Sequence, residues 1–194
     1  MLKLSNFLYY TFNLLMALVL FVLFLPFIVF IYLKLRKTGE KKPIFKQIRI
    51  GKNEKEFIIY KFKTMIDDAN KEGPFICSNY EDPRITEFGK YLRRKKLDEL
   101  PQLINIIRGD MNFVGPRPEI PYFHKINSEK IANWKERVSV KPGITGPAQL
   151  STKVSHNPNE KIIEDLVYIK NRTFFLDLKF IYLTAYYFFK GRIL

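Results

Sequence analysis

A chain of 194 residues is long enough for one domain with its own core. Its 33 Lys+Arg against 19 Asp+Glu leave a net charge of +14, which asks for an anionic partner: nucleic acid, an anionic membrane face or a phosphorylated small molecule. A hydrophobic share of 47%, with 18 Phe and 11 Tyr, suits a membrane-surface protein better than a nucleic-acid reader, and the single cysteine, Cys77, excludes an intrachain disulfide and a cysteine-based metal cluster.

Leu14 to Leu33 is uncharged and almost wholly apolar, twenty residues, with Lys3 before it and Lys34, Arg36 and Lys37 after it. That length can span a bilayer, and no small-residue cleavage site marks it as a secretory signal. Pro26 sits past its midpoint, where proline removes a helix hydrogen bond and forces a kink. Two architectures fit the residues: a kinked helix that crosses the membrane, or one that enters a leaflet, breaks at Leu25-Pro26 and returns.

A polar connector, Thr38 to Pro43, follows. Ile44 to Ile50, a Gly51-Lys52-Asn53 turn and Glu56 to Lys63 predict a β-hairpin. Period-two alternation puts Ile58, Tyr60 and Phe62 on one strand face, and Lys61 and Lys63 on the other with Phe57 and Ile59. Asp67 to Pro83, broken by Gly73-Pro74 and Asp82-Pro83, reads as a loop long enough to be functional. Thr86 caps a short helix through Arg94, with Phe88 and Leu92 on one side.

Leu92 to Glu119 organises the rest. Arg93, Arg94, Lys95 and Lys96 precede the adjacent acids Asp98 and Glu99. Leu100, Leu103, Ile104 and Ile107 recur at helical spacing, and Gly109 can end that helix. Asp98 is therefore expected at or near an N-cap, with Pro101 in the first turn. A helix start of this kind favours an ionised carboxylate and can also hold a phosphate. Pro116 and Pro118 clamp Arg117 in a rigid turn, preorganised for an anion. Ser128 is expected to cap a helix carrying Ile131, Trp134 and Val138. Lys141 to Pro147 forms a second rigid, glycine-rich loop. His124 carries no motif, and His156 beside Asn157-Pro158 reads as a surface residue at a helix start. That helix runs to about Asn171 with Ile162, Leu166 and Ile169 inward. Phe174 to Leu194, aromatic with Lys179, Lys190 and Arg192, reads as a core helix or as one lying in the membrane interface.

Read together, the broken apolar segment, Ile59-Tyr60-Lys61-Phe62-Lys63-Thr64-Met65, Asp82-Pro83-Arg84-Ile85-Thr86, Leu97-Asp98-Glu99-Leu100-Pro101-Gln102-Leu103, Gly109-Asp110-Met111, Val114-Gly115-Pro116-Arg117-Pro118-Glu119 and Pro142-Gly143-Ile144-Thr145-Gly146 resemble the bacterial sugar transferase family. The resemblance is to monotopic phosphoglycosyl transferases in their minimal, catalytic-domain form, and it covers about the whole chain. It implies an α+β fold: a mainly helical cytosolic domain (38–194) with a small β-hairpin and a C-terminal interfacial helix. An N-terminal re-entrant membrane helix (1–37), kinked at Pro26, would keep both termini on the cytoplasmic side of the cell membrane. It implies transfer of a sugar-1-phosphate from a UDP-sugar to undecaprenyl phosphate, with release of UMP. In that chemistry Asp98 is the nucleophile of a catalytic pair with Glu99, and Mg²⁺ is required, for which Asp98 and Glu99 are the candidate ligands; for Glu99, handling the acceptor phosphate's proton stands open beside metal ligation.

The cations expected at the phosphates are Lys61, Arg93 and Arg117, then Arg84, with Lys63 and Arg94 weaker. Lys153 aligns with a phosphate-binding Arg of the family; lysine keeps the charge but loses the bidentate fork. Leu25 stands where the family commonly has Ser, and Pro147 where it often has an aromatic residue or Leu. Downstream glycosyltransferases that would extend the lipid-linked sugar are implied partners. Two other readings compete: a non-catalytic basic module that binds anionic lipid or such a glycosyltransferase, and, last, a nucleic-acid binder, which has no use for the apolar segment.

Overall fold

The computed structural model describes residues 2–67, 69, 82–151 and 157–190, with side chains from Leu8 onward. Lys153, His156, Cys77 and most of the loop after Asp67 lie outside the described residues.

The chain opens with α1 (Leu2–Lys37), one α-helix that continues through Pro26. Proline is thus accommodated inside the helix and does not end it. From Leu8 to Lys37 this helix is long and apolar enough to cross a membrane, with a mean hydropathy of 3.2 over its most apolar stretch. Both of its limbs nevertheless pack on the same body of the protein. Ala17, fully buried, joins a core with Ile59, Leu103, Ile106, Met111, Phe113, Val114 and Tyr168. Ile31 and Leu35 join a second core with Phe62 and Leu92. Asn13, an amide in an otherwise apolar limb, accepts a hydrogen bond from the Phe113 backbone N–H at 2.9 Å. Lys34 lies over the Phe88 ring at 4.2 Å from its centroid. Between the limbs Val22, Leu23, Leu25 and Phe27 are all exposed.

The hairpin forms as expected: β1 (Ile44–Ile50) pairs antiparallel with β2 (Glu56–Phe62), Ile44 opposite Phe62 and Ile50 opposite Glu56. Its turn is a 3₁₀ segment, Lys52–Glu54, with Asn53 and Glu54 at positive φ. The second strand buries Ile59 and Phe62, one from each face, because its end is wedged between the two cores.

Next comes α2 (Glu87–Arg94), capped by Thr86, whose hydroxyl accepts from the Gly89 N–H at 3.0 Å. The helix expected from Asp98 is different. Leu97–Gln102 is 3₁₀, and only Leu103–Ile107 (α3) is α-helical. Lys96 enters the turn at φ 49°, and no side chain caps it, so Asp98 is not an N-cap. Passing from three residues per turn to 3.6 rotates the apolar stripe. Leu103 and Ile106 are buried, while Ile104 faces outward. Gly109, at φ +80°, ends the helix as expected.

The remaining elements are β3 (Asn112–Val114), α4 (Pro121–Lys130), a 3₁₀ segment Trp134–Ser139, β4 (Gly143–Thr145), α5 (Pro147–Leu150), α6 (Pro158–Asn171) and α7 (Phe174–Phe189). Ser128 does not start a helix. It lies in the last turn of α4 and donates to the His124 carbonyl at 2.6 Å. The inward residues of the following 3₁₀ segment are Trp134 and Arg137, not Val138. The rigid loop at Lys141–Pro147 contains β4, which pairs parallel with β3. A side chain at Gly115, Gly143 or Gly146 would meet the facing backbone at 2.5 Å or less, so this crossing needs glycine. In α6 the buried stripe is Ile162, Asp165 and Tyr168, with Leu166 and Ile169 at its margin. One side of α7 packs Leu176, Phe180 and Ile181 on the core, and Phe175, Tyr182 and Phe189 stand out from the other. The helix is therefore part core, part exposed aromatic surface.

Candidate active site

The site is built where the 3₁₀ turn Leu97–Gln102 packs on β2. Asn105 fixes that contact. Fully buried, it accepts from the Tyr60 N–H at 3.1 Å and donates to the Ile58 carbonyl at 2.6 Å, doing for the free edge of β2 what a third strand would do. This docking brings Lys61 of β2 to Glu99. The Lys61 Nζ donates to Glu99 Oε1 at 2.7 Å, and Arg117, from the loop between its two prolines, donates to the same oxygen at 2.9 Å.

Asp98, next in the chain, behaves differently. It is 8% exposed, and its Oδ1 is buried with no hydrogen-bond partner. Burial pushes its carboxyl above the usual range, and the charge of Glu99 pushes it further, against the pull of Lys61, Arg93 and Lys96. Burial would raise Glu99 as well, but Lys61 and Arg117 override it and hold Glu99 well below the usual carboxylate range. The Glu99 carboxylate in turn raises Arg117. Burial lowers the Lys61 ammonium, opposed by Glu99.

The other predicted cations divide. Arg93, in the last turn of α2, donates to the Thr64 hydroxyl at 2.8 Å and lies within the field of Asp98. Arg84 is engaged by Asp82, with Nη2 to Oδ2 at 2.6 Å, and by the Ala69 carbonyl at 3.0 Å. Lys63 is paired with Glu40 and Asp67. The structure thus brings Lys61 and Arg117 to Glu99 and sets Arg93 within the field of Asp98, while Arg84 is engaged by Asp82 and Ala69 and Lys63 by Glu40 and Asp67. Asn105 and Arg49 were not singled out from sequence. Arg49 lies behind Arg117, where burial and the Arg117 charge lower its pKa to about 10. His124 is buried and paired with Glu54 at 3.1 Å.

A divalent cation can be tested against these atoms. Among the described residues no group of three or more His, Cys, Asp or Glu gathers to hold a metal ion. Mg²⁺ needs no such group, since it takes one or two carboxylates and completes its shell with water and phosphate oxygens. The orphaned Oδ1 of Asp98 fits such an ion; Glu99 Oε1 is already occupied by two cationic donors.

The geometry is thus a buried acid pair with lysine and arginine around it, on a domain packed against a helix long and apolar enough to cross a membrane. The bacterial sugar transferase family matches residues 4–191, and the chain belongs to that family. It is 40% identical over 141 residues to an uncharacterized sugar transferase, EpsL, of Bacillus subtilis (strain 168), covering 73% of this chain and 67% of that one. It is 35% identical over 170 residues to a UDP-glucose:undecaprenyl-phosphate glucose-1-phosphate transferase of Klebsiella pneumoniae, covering 85% of this chain and 36% of the relative. A UDP-N-acetylgalactosamine-undecaprenyl-phosphate N-acetylgalactosaminephosphotransferase of Aeromonas hydrophila is 33% identical over 175 residues, with 89% of this chain and 41% of the relative covered. The chain spans well under half the length of these last two.

Proposed function

We propose that this protein transfers a sugar-1-phosphate from a UDP-sugar to undecaprenyl phosphate and releases UMP. The observation that carries the reading is Asp98 Oδ1: a buried carboxylate oxygen without a partner, beside cations that are themselves held in place. A carboxylate is an adequate nucleophile toward phosphorus when positioned and stripped of water.

In the first step an Asp98 oxygen bonds to the sugar-bearing phosphorus, the bond from that phosphorus to the bridging oxygen breaks, and UMP leaves with the oxygen. In the second, a phosphate oxygen of undecaprenyl phosphate attacks the same phosphorus. The lipid diphosphate sugar forms and the carboxylate is restored. Lys61, Arg93 and Arg117 meet the negative charge of the phosphates; Arg84 and Lys153 are further candidates from the family resemblance. Glu99 holds Lys61 and Arg117 in register before substrate arrives. Mg²⁺ would be held by Asp98 and by the Glu99 oxygen not bound to those cations, and would neutralise phosphate charge.

For the membrane, a helix whose two limbs both pack on one domain, with an exposed apolar middle, supports a re-entrant path; the cytoplasmic face for the domain is what the family resemblance implies. Labelling Lys3 and Lys37 from each side of sealed vesicles tests this: accessibility from opposite sides would overturn it. Activity is tested by UMP release from a panel of UDP-sugars with undecaprenyl phosphate and Mg²⁺. Release that depends on Asp98 supports the reading. Full release by D98N, or none with any UDP-sugar, contradicts it and favours a basic lipid-binding module.

A further inference from the structure

The segment Pro116–Glu119 is held in an unusual way. Its two prolines offer no N–H, and its four consecutive carbonyls each accept a hydrogen bond, two of them from β1, one from β4 and one from the 3₁₀ segment Trp134–Ser139. Pro116 accepts from the Gly143 N–H at 3.0 Å, and Glu119 from the Ile50 N–H at 2.9 Å. Those two donors are backbone. The other two are arginine side chains: Arg137 Nη2 to the Arg117 carbonyl at 3.0 Å, and Arg49 Nη1 to the Pro118 carbonyl at 3.0 Å.

Arg137 is itself anchored. Its Nε donates to Asp165 Oδ2 at 2.6 Å, with the two side chains 4% and 0% exposed. Glu119 lies 3.6 Å from its Nη1 and pairs with Lys161. Burying such charges is a poor way to gain stability, since an apolar cluster of the same volume does as well or better. What an apolar cluster could not do is reach in two directions at once, from the Asp165 carboxylate to the Arg117 carbonyl. The planar fork of arginine does this, and lysine cannot.

We infer that Arg49 and the Arg137–Asp165 pair are positioning residues for the diphosphate site: they fix the two carbonyls that follow the Arg117 Cα, while the Gly143 N–H holds the one before it, so that the Arg117 guanidinium faces Glu99 and the incoming phosphates. None of the three need touch substrate. The inference rests on the reading of Arg117 as a phosphate contact.

The test uses UDP as probe, with full-length protein in lipid nanodiscs and Mg²⁺ present. Dissociation constants are measured for wild type, R117A, R137K, R49Q and the doubles R117A/R137K and R117A/R49Q. R137K keeps the charge and loses the bridge; it should weaken UDP about tenfold, the size expected when a binding group is misplaced. In the R117A background the same change should shift the constant less than about twofold, because the residue acts only through Arg117. R49Q removes a half-buried side chain and should show the same dependence, so the test stands even if R137K folds poorly, as its melting temperature would reveal. Equal weakening with and without Arg117, or none in either background, overturns the inference and leaves the site reading intact. An R117A protein that binds UDP like wild type removes Arg117 from the diphosphate site, and the inference with it.

Discussion

Two charge clusters meet at Arg117, and they are built differently. Behind it, Asp165, Arg137, Glu119 and Lys161 alternate in sign, each side chain within 3.6 Å of an opposite charge. In front of it, Glu99 is shared by two cations while Asp98 keeps an oxygen with no partner at all. Each cluster leaves one carboxylate oxygen without a partner, Asp165 Oδ1 behind and Asp98 Oδ1 in front. The difference lies in the pairing. Asp165 is bound through its other oxygen by Arg137 at 2.6 Å, whereas in front Lys61 and Arg117 both go to Glu99. The rear carboxylate is committed to holding shape, and the front one is left for something that binds.

The sharpest way to break this contrast is D98N. UMP release should fall by about a thousandfold or more, as expected on losing a covalent nucleophile. The variant should also melt higher. A carboxyl whose folded pKa lies above its unfolded value is stabilising only while protonated, and that stability is lost as pH rises through the folded pKa. Removing it at neutral pH should gain about 1 kcal/mol, roughly 2–4 °C at this size. Burial raises the Asp165 carboxyl too, but there it is opposed by a direct bond from Arg137 at 2.6 Å, so D165N should instead lose about 3 kcal/mol in denaturant unfolding, because the buried guanidinium loses its bound counter-charge.

E99Q sharpens the comparison within the front cluster. It should reduce turnover by about a hundredfold through loosened Lys61 and Arg117. It should also move the acid limb of the pH–rate profile to lower pH. Asp98 must be ionised to attack and the Glu99 charge raises it, so the neutral amide lets Asp98 ionise more easily. N105A should cost about 2 kcal/mol, since two β2 backbone groups lose their partner. The smallest effect belongs to K63M, less than about 1 kcal/mol and little change in UDP-sugar KM. Its partner Asp67 is largely exposed, and neither of its partners belongs to the acid pair.

Much of this was legible in the sequence where local chemistry decides. Thr86 caps α2, the hairpin has the expected strands, Gly109 ends α3 and Pro158 starts α6, because each depends on residues within a turn of itself. The acid pair and the Pro-Arg-Pro loop were legible as motifs. The helix start near Asp98 was legible, with Asp98 and Glu99 in its first turn, but not its form: Lys96 in the left-handed region and a 3₁₀ first turn replace the expected side-chain cap. Asn105 was invisible as a strand-edge partner, because its two bonds run to residues 45 and 47 positions away. Arg137 and Asp165 stand 28 positions apart on different elements, and neither carries a pattern. Helical spacing marked Ile162 as inward but could not say that a charged residue shares its stripe.

The most direct measurement is the intact mass of the protein after incubation with a UDP-sugar it turns over and Mg²⁺, without undecaprenyl phosphate. A gain of one sugar phosphate, located on the peptide containing Asp98 and discharged when undecaprenyl phosphate is added, is the predicted result. The same adduct on D98N, or steady turnover by wild type in which no adduct can be trapped and D98N is equally active, would contradict it.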